Sequence, residues 1–272
     1  MFAAMKEVKN ILMLVLALLA LGCSQTIIFE DSHTPTPKPN IPNNEIWYTS
    51  KDGTVVEPDS SADFGATIVS NTYENGKGVI KFNKDLYTIG QYAFDECSAL
   101  KSITLPHNIT RLDEGVFRNC SSLTEFNISK RIESIDSYAF DGCSNLETVT
   151  FETKTPPHVS ESAFGGCHKL KIIIPSNEAS VKAYLENWGN EFMVKIPEYI
   201  FKDNLSNNYW FEYTTTDNQK ISFNLDIRYN KYENGKGLAI SRTPITEFRG
   251  VQSGQSNLLS CILPEGVVSI SY

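Results

Sequence analysis

The chain has few of the residues on which catalysis depends. It carries four histidines in 272 residues, no G-x-S-x-G elbow, no glycine-rich phosphate loop, no C-x-x-C pair and no H-E-x-x-H helix. His33 lies in a proline-rich stretch, His107 and His158 at turns, and His168 beside Cys167, where adjacent side chains point apart and form no thiol–imidazole pair. Basic charge is also short, with 24 Lys and Arg against 32 Asp and Glu, for a net charge of -8. No Lys/Arg cluster interrupts that balance, which argues against a nucleic-acid partner. The longest apolar run, Ile11 to Leu21, is too short for a permanent membrane span. The sequence therefore points to no enzyme, no cofactor and no metal.

What is present begins with a targeting segment. Lys6 and Lys9 precede the apolar run, and Leu19-Ala20-Leu21-Gly22-Cys23 follows it, so residues 1–22 are expected to be a signal peptide. The ending resembles the bacterial lipobox, which implies cleavage before Cys23 and lipid on that cysteine. The alternative is an ordinary secretory peptide with an incidental cysteine. Loss of residues 1–22 removes Lys6, Lys9 and Glu7 and takes the net charge to -9. Residues 23–44, with four prolines among Ser, Thr and Asn, read as a solvated tether.

From Glu45 the composition is that of a β protein. IWYTS, TVVE, ATIVS and GVIKF are rich in β-branched and aromatic residues and are separated by KDG and ENGKG, which are turn signals. Residues 45–85 are expected to form a strand-rich N-terminal cap.

A repeat then takes over across residues 86–176. Phe94, Phe117, Phe140 and Phe164 lie 23, 23 and 24 residues apart, and Cys97, Cys120, Cys143 and Cys167 keep the same intervals. A period in the twenties that fixes only apolar positions marks stacked coils of chain. The coils follow the form I-x-x-x-A-F-x-x-C-x-x-L, with Leu or Val at some of the first apolar positions, and end in a short strand such as SITLP, TEFNIS, ETVTF or KIIIP. Alternation turns Ile103, Leu105, Phe126, Ile128, Val149 and Phe151 inward. Ser102, Thr104, Glu125, Asn127, Thr148 and Thr150 then form an outward face, the candidate binding surface. The phenylalanines are expected to stack as a buried ladder. The recurring cysteines form a row rather than a converging ligand set, so a structural role is expected, with disulfides between coils open as an alternative.

These residues resemble the BspA-like bacterial leucine-rich repeats over about residues 45–199: NEIWYTSKDG with NTYENGKGVIKF, the A-F-x-x-C-x-x-L-x-x-I coils, and a closing segment. The resemblance implies a parallel-stranded solenoid on a surface protein of a Gram-negative anaerobe, with a binding or adhesive role and no reaction. In residues 177–199, Val181, Tyr184, Leu185 and Trp188 share one helical face, with Ser176 or Asn177 to start the helix and Gly189 to end it. Its polar face lacks a basic stripe, which favours a helical C-terminal cap over a membrane-surface helix.

After Tyr199 the pattern restarts. KYENGKGLAI repeats TYENGKGVIK at a register of 159, and SNLLSCILP matches SALKSITLP at 158. Gln252 and Gln255 replace the coil's Phe and Cys, and Cys261 takes the place of Ile103. Residues 200–272 are expected to be a second, truncated unit of the same kind. The fold class is thus mainly β with short helices, a leucine-rich repeat solenoid between two caps, followed by that second unit.

Two functions stay open. One is an outer-membrane or cell-surface lipoprotein, anchored through lipid, that binds an extracellular protein such as a host matrix protein or another bacterial surface protein. The other is a glycan-capturing accessory lipoprotein of a polysaccharide uptake system. Exposed aromatics favour the second and a polar strand face the first; inward aromatics tilt the reading to protein binding.

Overall fold

The computed structural model describes residues 40–248, 257–263, 267, 269 and 270. The expected signal peptide, Cys23 and its lipid, most of the tether, Gln252 and Gln255 lie outside the described residues. The described chain is mainly β with a few short helices.

β1 (Glu45–Ser50), β2 (Ile68–Glu74), β3 (Lys77–Phe82) and β4 (Leu100–Thr104) form one sheet in the order β2-β3-β1-β4. The β2–β3 hairpin turns through Asn75 and Gly76, both at positive φ, the conformation that favours Asn-Gly in tight hairpins. Ile46 and Tyr48 from β1 and Ile80 and Phe82 from β3 are buried on one face. Within the last residues of the expected tether, Ile41 is buried, and the carbonyls of Asn43 and Asn44 accept from the backbone of Leu86 and Phe82. Sequence composition hides this, because Pro42 and two asparagines look like linker while their backbone pairs with the sheet.

The next strands are short. β5 (Arg111–Leu112), β7 (Ser134–Ile135) and β9 (His158–Val159) form one parallel ladder; β6 (Glu125–Ile128), β8 (Thr148–Phe151) and β10 (Lys171–Ile173) form another. From residue 109 on, each repeat therefore contributes one strand to each ladder, and the pairing partners lie one period apart. Between the ladders the phenylalanines stack: Phe94–Phe117 at 5.6 Å, Phe117–Phe140 at 5.4 Å and Phe140–Phe164 at 5.1 Å between centroids. Phe64 meets Phe94 at one end of the row and Phe192 meets Phe164 at the other, both edge-on. Such ring pairs add about 0.5–1.5 kcal/mol each beyond area burial.

The turn before each cysteine uses left-handed backbone, at Glu96, Asn119, Gly142 and Gly166. Only the last two are glycine. Asn tolerates this region better than other side chains, whereas Glu96 is held there against its preference.

β4 departs from the parallel series. It pairs antiparallel with β1, Tyr48 opposite Ile103 and Thr49 opposite Ser102, so the N-terminal sheet takes the first repeat's strand as its own edge. The period encodes the repeat interior but not which neighbour the first strand meets.

After β10, α1 (Glu178–Asn187) begins at Asn177, whose Oδ1 accepts from Ser180 N at 3.0 Å. It buries Val181, Tyr184 and Leu185. Gly189 does not end a helix in left-handed backbone. Its φ is -71°, and it opens α2 (Asn190–Met193), while Trp188 terminates α1. α3 (Glu198–Asn204) crosses the expected division at Tyr199, with Ile200 and Phe201 buried in the same core as the repeats.

β11 (Trp210–Thr215), β12 (Ile227–Glu233), β13 (Lys236–Ser241), β14 (Glu247–Phe248), β15 (Leu258–Ile262) and β16 (Ser269–Ile270) complete the chain. The C-terminal sheet has the order β12-β13-β11-β15, the topology of the N-terminal one. The likeness extends to hydrogen bonds. Tyr48 Oη donates to Asn71 Oδ1 at 2.9 Å and Tyr213 Oη to Asn230 Oδ1 at 2.6 Å. Gly78 lies under the Tyr48 ring and Gly237 under the Tyr213 ring, where any Cβ would meet the ring.

Candidate functional site

The register of the strands sets out the outward face in rows. Glu125, Thr148 and Lys171 are directly opposite one another across β6, β8 and β10, and so are Asn127, Thr150 and Ile173. Glu125 and Asn127 are exposed, while Ser102, Thr104, Thr148 and Thr150 are half-buried. The inward partners Phe126, Ile128, Val149 and Phe151 are buried; Leu105, beyond the end of β4, is half-buried. The six candidate residues thus fall on one side of their strands. Thr124 N donates to Lys101 O at 3.3 Å, which joins the β4 region to the parallel ladder beside it.

Pairing with β1 adds residues that periodicity did not single out. Thr49 and Ser102 share a 2.6 Å hydroxyl hydrogen bond, and Trp47 stands opposite Thr104. Trp47 is therefore an aromatic on the outward side, contrary to the expectation that all aromatics of the array point inward. Its Nε1 donates to Glu45 Oε2 at 2.8 Å, and the Lys77 ammonium sits over its ring at 2.9 Å from the centroid. The signal was present in E-I-W-Y-T-S, where strict alternation with buried Ile46 and Tyr48 forces Trp47 outward.

The cysteine row serves the backbone. Cys120 Sγ donates to Phe94 O, Cys143 Sγ to Phe117 O and Cys167 Sγ to Phe140 O, each at 3.1 Å, and Cys97 Sγ donates to Glu57 O at 3.4 Å. These cysteines are free thiols. Burial is the largest cause raising all four thiol pKa values, to about 11 at Cys97 and Cys167 and higher still at Cys120 and Cys143. A raised thiol is a poor nucleophile and a poor metal ligand. Cys167 is buried and His168 exposed, so they do not converge. Among the described residues no group of three or more His, Cys, Asp or Glu is placed to hold a metal ion, and no helix is long and apolar enough to cross a membrane.

On the opposite side the repeats are tied by charge. Arg118 forks onto Asp95, with Nε to Oδ1 at 2.9 Å and a terminal nitrogen to Oδ2 at 2.5 Å, while Arg111 joins Asp113 and Asp136. The Arg118–Asp95 and Arg111–Asp136 pairs link neighbouring repeats and are solvent-exposed, so each contributes little to stability.

No curated protein matches the chain. The chain is similar to a leucine rich cell surface protein from Faecalibacterium prausnitzii A2-165, known as a crystal structure, at 35% identity over 36% of this chain, with a TM-score of 0.32. The match spans only 26% of that protein's own chain. A family model for the BspA type leucine rich repeat region matches in six copies over residues 67–186. The parallel ladders and stacked phenylalanines lie within this matched region, which is similar to the BspA type leucine rich repeats.

Proposed function

We propose that the protein is a non-catalytic, surface-exposed lipoprotein whose repeats form a solenoid that binds an extracellular protein through its strand face. The observation that carries this reading is the register that lines up Glu125–Thr148–Lys171 and Asn127–Thr150–Ile173 in one sheet and Thr49–Ser102 and Trp47–Thr104 in the sheet beside it. Hydroxyls, amides and single charges of both signs, fixed on strands, offer an extended partner many separate hydrogen bonds from a rigid support.

Anchoring rests on the sequence. The apolar run ending in Gly22-Cys23 supports lipid at Cys23 and attachment to the outer membrane or cell surface of a Gram-negative bacterium. Substituting Cys23→Ser is expected to move the protein from the membrane fraction to the soluble one; unchanged fractionation contradicts the lipid anchor.

Trp47 favours a second reading, capture of glycans, because an outward aromatic stacks on sugar rings. It is a single platform, and Lys77 already covers one face of it, so protein binding remains the stronger reading. Binding to immobilised matrix proteins set against a glycan array separates the two. Matrix-protein binding without glycan binding supports the first, and glycan binding lost in Trp47→Ala supports the second.

A further inference from the structure

The two four-stranded sheets share topology and register but differ on one face. In the N-terminal sheet, Glu45 pairs with Lys81, Lys81 with Ser70, and Trp47 with Val79. The same registers in the C-terminal sheet hold Trp210 with Ile240, Ile240 with Tyr229, and Glu212 with Leu238. Three polar residues, Glu45, Ser70 and Lys81, are thus replaced by Trp210, Tyr229 and Ile240.

The replacements have a contact that explains them. Tyr229, Leu238 and Ile240 are buried in one cluster with Ile200, Phe201 and Leu205, and the Phe201 and Tyr229 rings lie 5.1 Å apart. On the other face of the same sheet Phe211, Tyr213 and Ala239 belong to a separate cluster with Phe223 and Phe248. β13 is accordingly buried on both faces, whereas β3 exposes Lys81. At the rim, Lys202 from α3 pairs with Glu212 at 2.5 Å and stands over the Trp210 ring, and Ser206 Oγ donates to Glu178 Oε1 at 2.7 Å.

We propose that α1–α3 are a two-sided connector whose second face is a seat for a four-stranded sheet of this type. Apolar residues at the registers of 210, 229 and 240 mark a sheet built to dock on such a seat. Polar residues at the same registers, as at 45, 70 and 81, mark a sheet whose outer face stays open. The connector fixes the C-terminal sheet to the repeats, so a partner meets both as one rigid surface. This goes beyond the ligand-binding reading and does not depend on it.

The test exchanges the code within the full chain. The combined variant Trp210→Glu, Tyr229→Ser, Ile240→Lys gives the C-terminal sheet the residues that the N-terminal sheet already folds with. Calorimetry is expected to resolve one transition for the parent and two for the variant. Protease cleavage between residues 204 and 209 is expected to accelerate at least about a hundredfold, in step with local opening, while amide protection of β11–β13 persists. Tyr229→Phe, which keeps the ring contact, is expected to behave as the parent. A single transition with parental cleavage in the triple variant overturns the proposal. So does collapse of β11–β13 protection in that variant, because the face would then be part of the sheet's own core and not a docking surface.

Discussion

Cys143 Sγ donates to the carbonyl oxygen of Phe117 at 3.1 Å, one repeat earlier in the chain. The bond joins the two recurring rows of the sequence, the Phe row and the Cys row, into one device. Cys120, Cys143 and Cys167 each donate to the carbonyl of the preceding repeat's phenylalanine, which also accepts from the backbone N–H of the cysteine three residues on, and each ring stacks on the next.

The two rows differ in energy. Cys143→Ala removes one weak hydrogen bond and is expected to cost about 1 kcal/mol. Phe140→Ala leaves a cavity between Phe117, Phe126 and Phe164 and is expected to cost about 3–5 kcal/mol. Urea unfolding of the two variants checks the ranking; a larger loss for Cys143→Ala contradicts it.

Alkaline pH is expected to weaken the fold. The unfolded thiols titrate near 9.0, and burial pushes Cys97 and Cys167 up to about 11 and Cys261 up to about 12. Above pH 9 the unfolded chain therefore holds fewer protons than the folded one. Stability from this source is fully present below pH 9 and falls as pH rises through 11 to 12. Thermal melts from pH 7 to 11 read the slope. In the same range thiol alkylation is expected to stay slow until the chain unfolds.

Gly78→Ala places a Cβ 2.1 Å from the Tyr48 ring. The ring cannot retreat without giving up its hydrogen bond to Asn71. A loss of about 1–3 kcal/mol is expected, and Gly237→Ala is expected to do the same beneath Tyr213. An unchanged melting temperature in Gly78→Ala contradicts this packing.

The parts of the fold that repeat were legible in the sequence, because a stacked coil returns its core residues at one interval. Phe94 to Phe164, the cysteine row and the strand alternation from Ser102 to Thr150 were all readable from spacing. The apolar face of α1 was readable from helical period, and capping chemistry narrowed its start to Ser176 or Asn177, of which Asn177 is the cap. The contacts that lie outside any period were not. Ile41 is buried although its neighbours look like linker, and Trp47 reaches the strand face through an antiparallel pairing with β4 that no interval announces. Gly189 suggested a helix end, yet its extended backbone opens the next helix. The restart after Tyr199 was visible as a repeated ENGKG, but its seat on α3 depended on Tyr229 and Ile240 standing where Ser70 and Lys81 stand.

The strand face is tested most directly by charging it. Thr104, Asn127 and Thr150 stand on the outward side of β4, β6 and β8, away from the Phe ladder. The combined variant Thr104→Lys, Asn127→Lys, Thr150→Lys is assayed beside the parent on the same immobilised matrix proteins. The account predicts a circular dichroism spectrum like the parent's, a melting temperature within a few degrees of it, and binding weakened at least about tenfold, equivalent to about 1.4 kcal/mol. Binding equal to the parent's in the folded variant contradicts it.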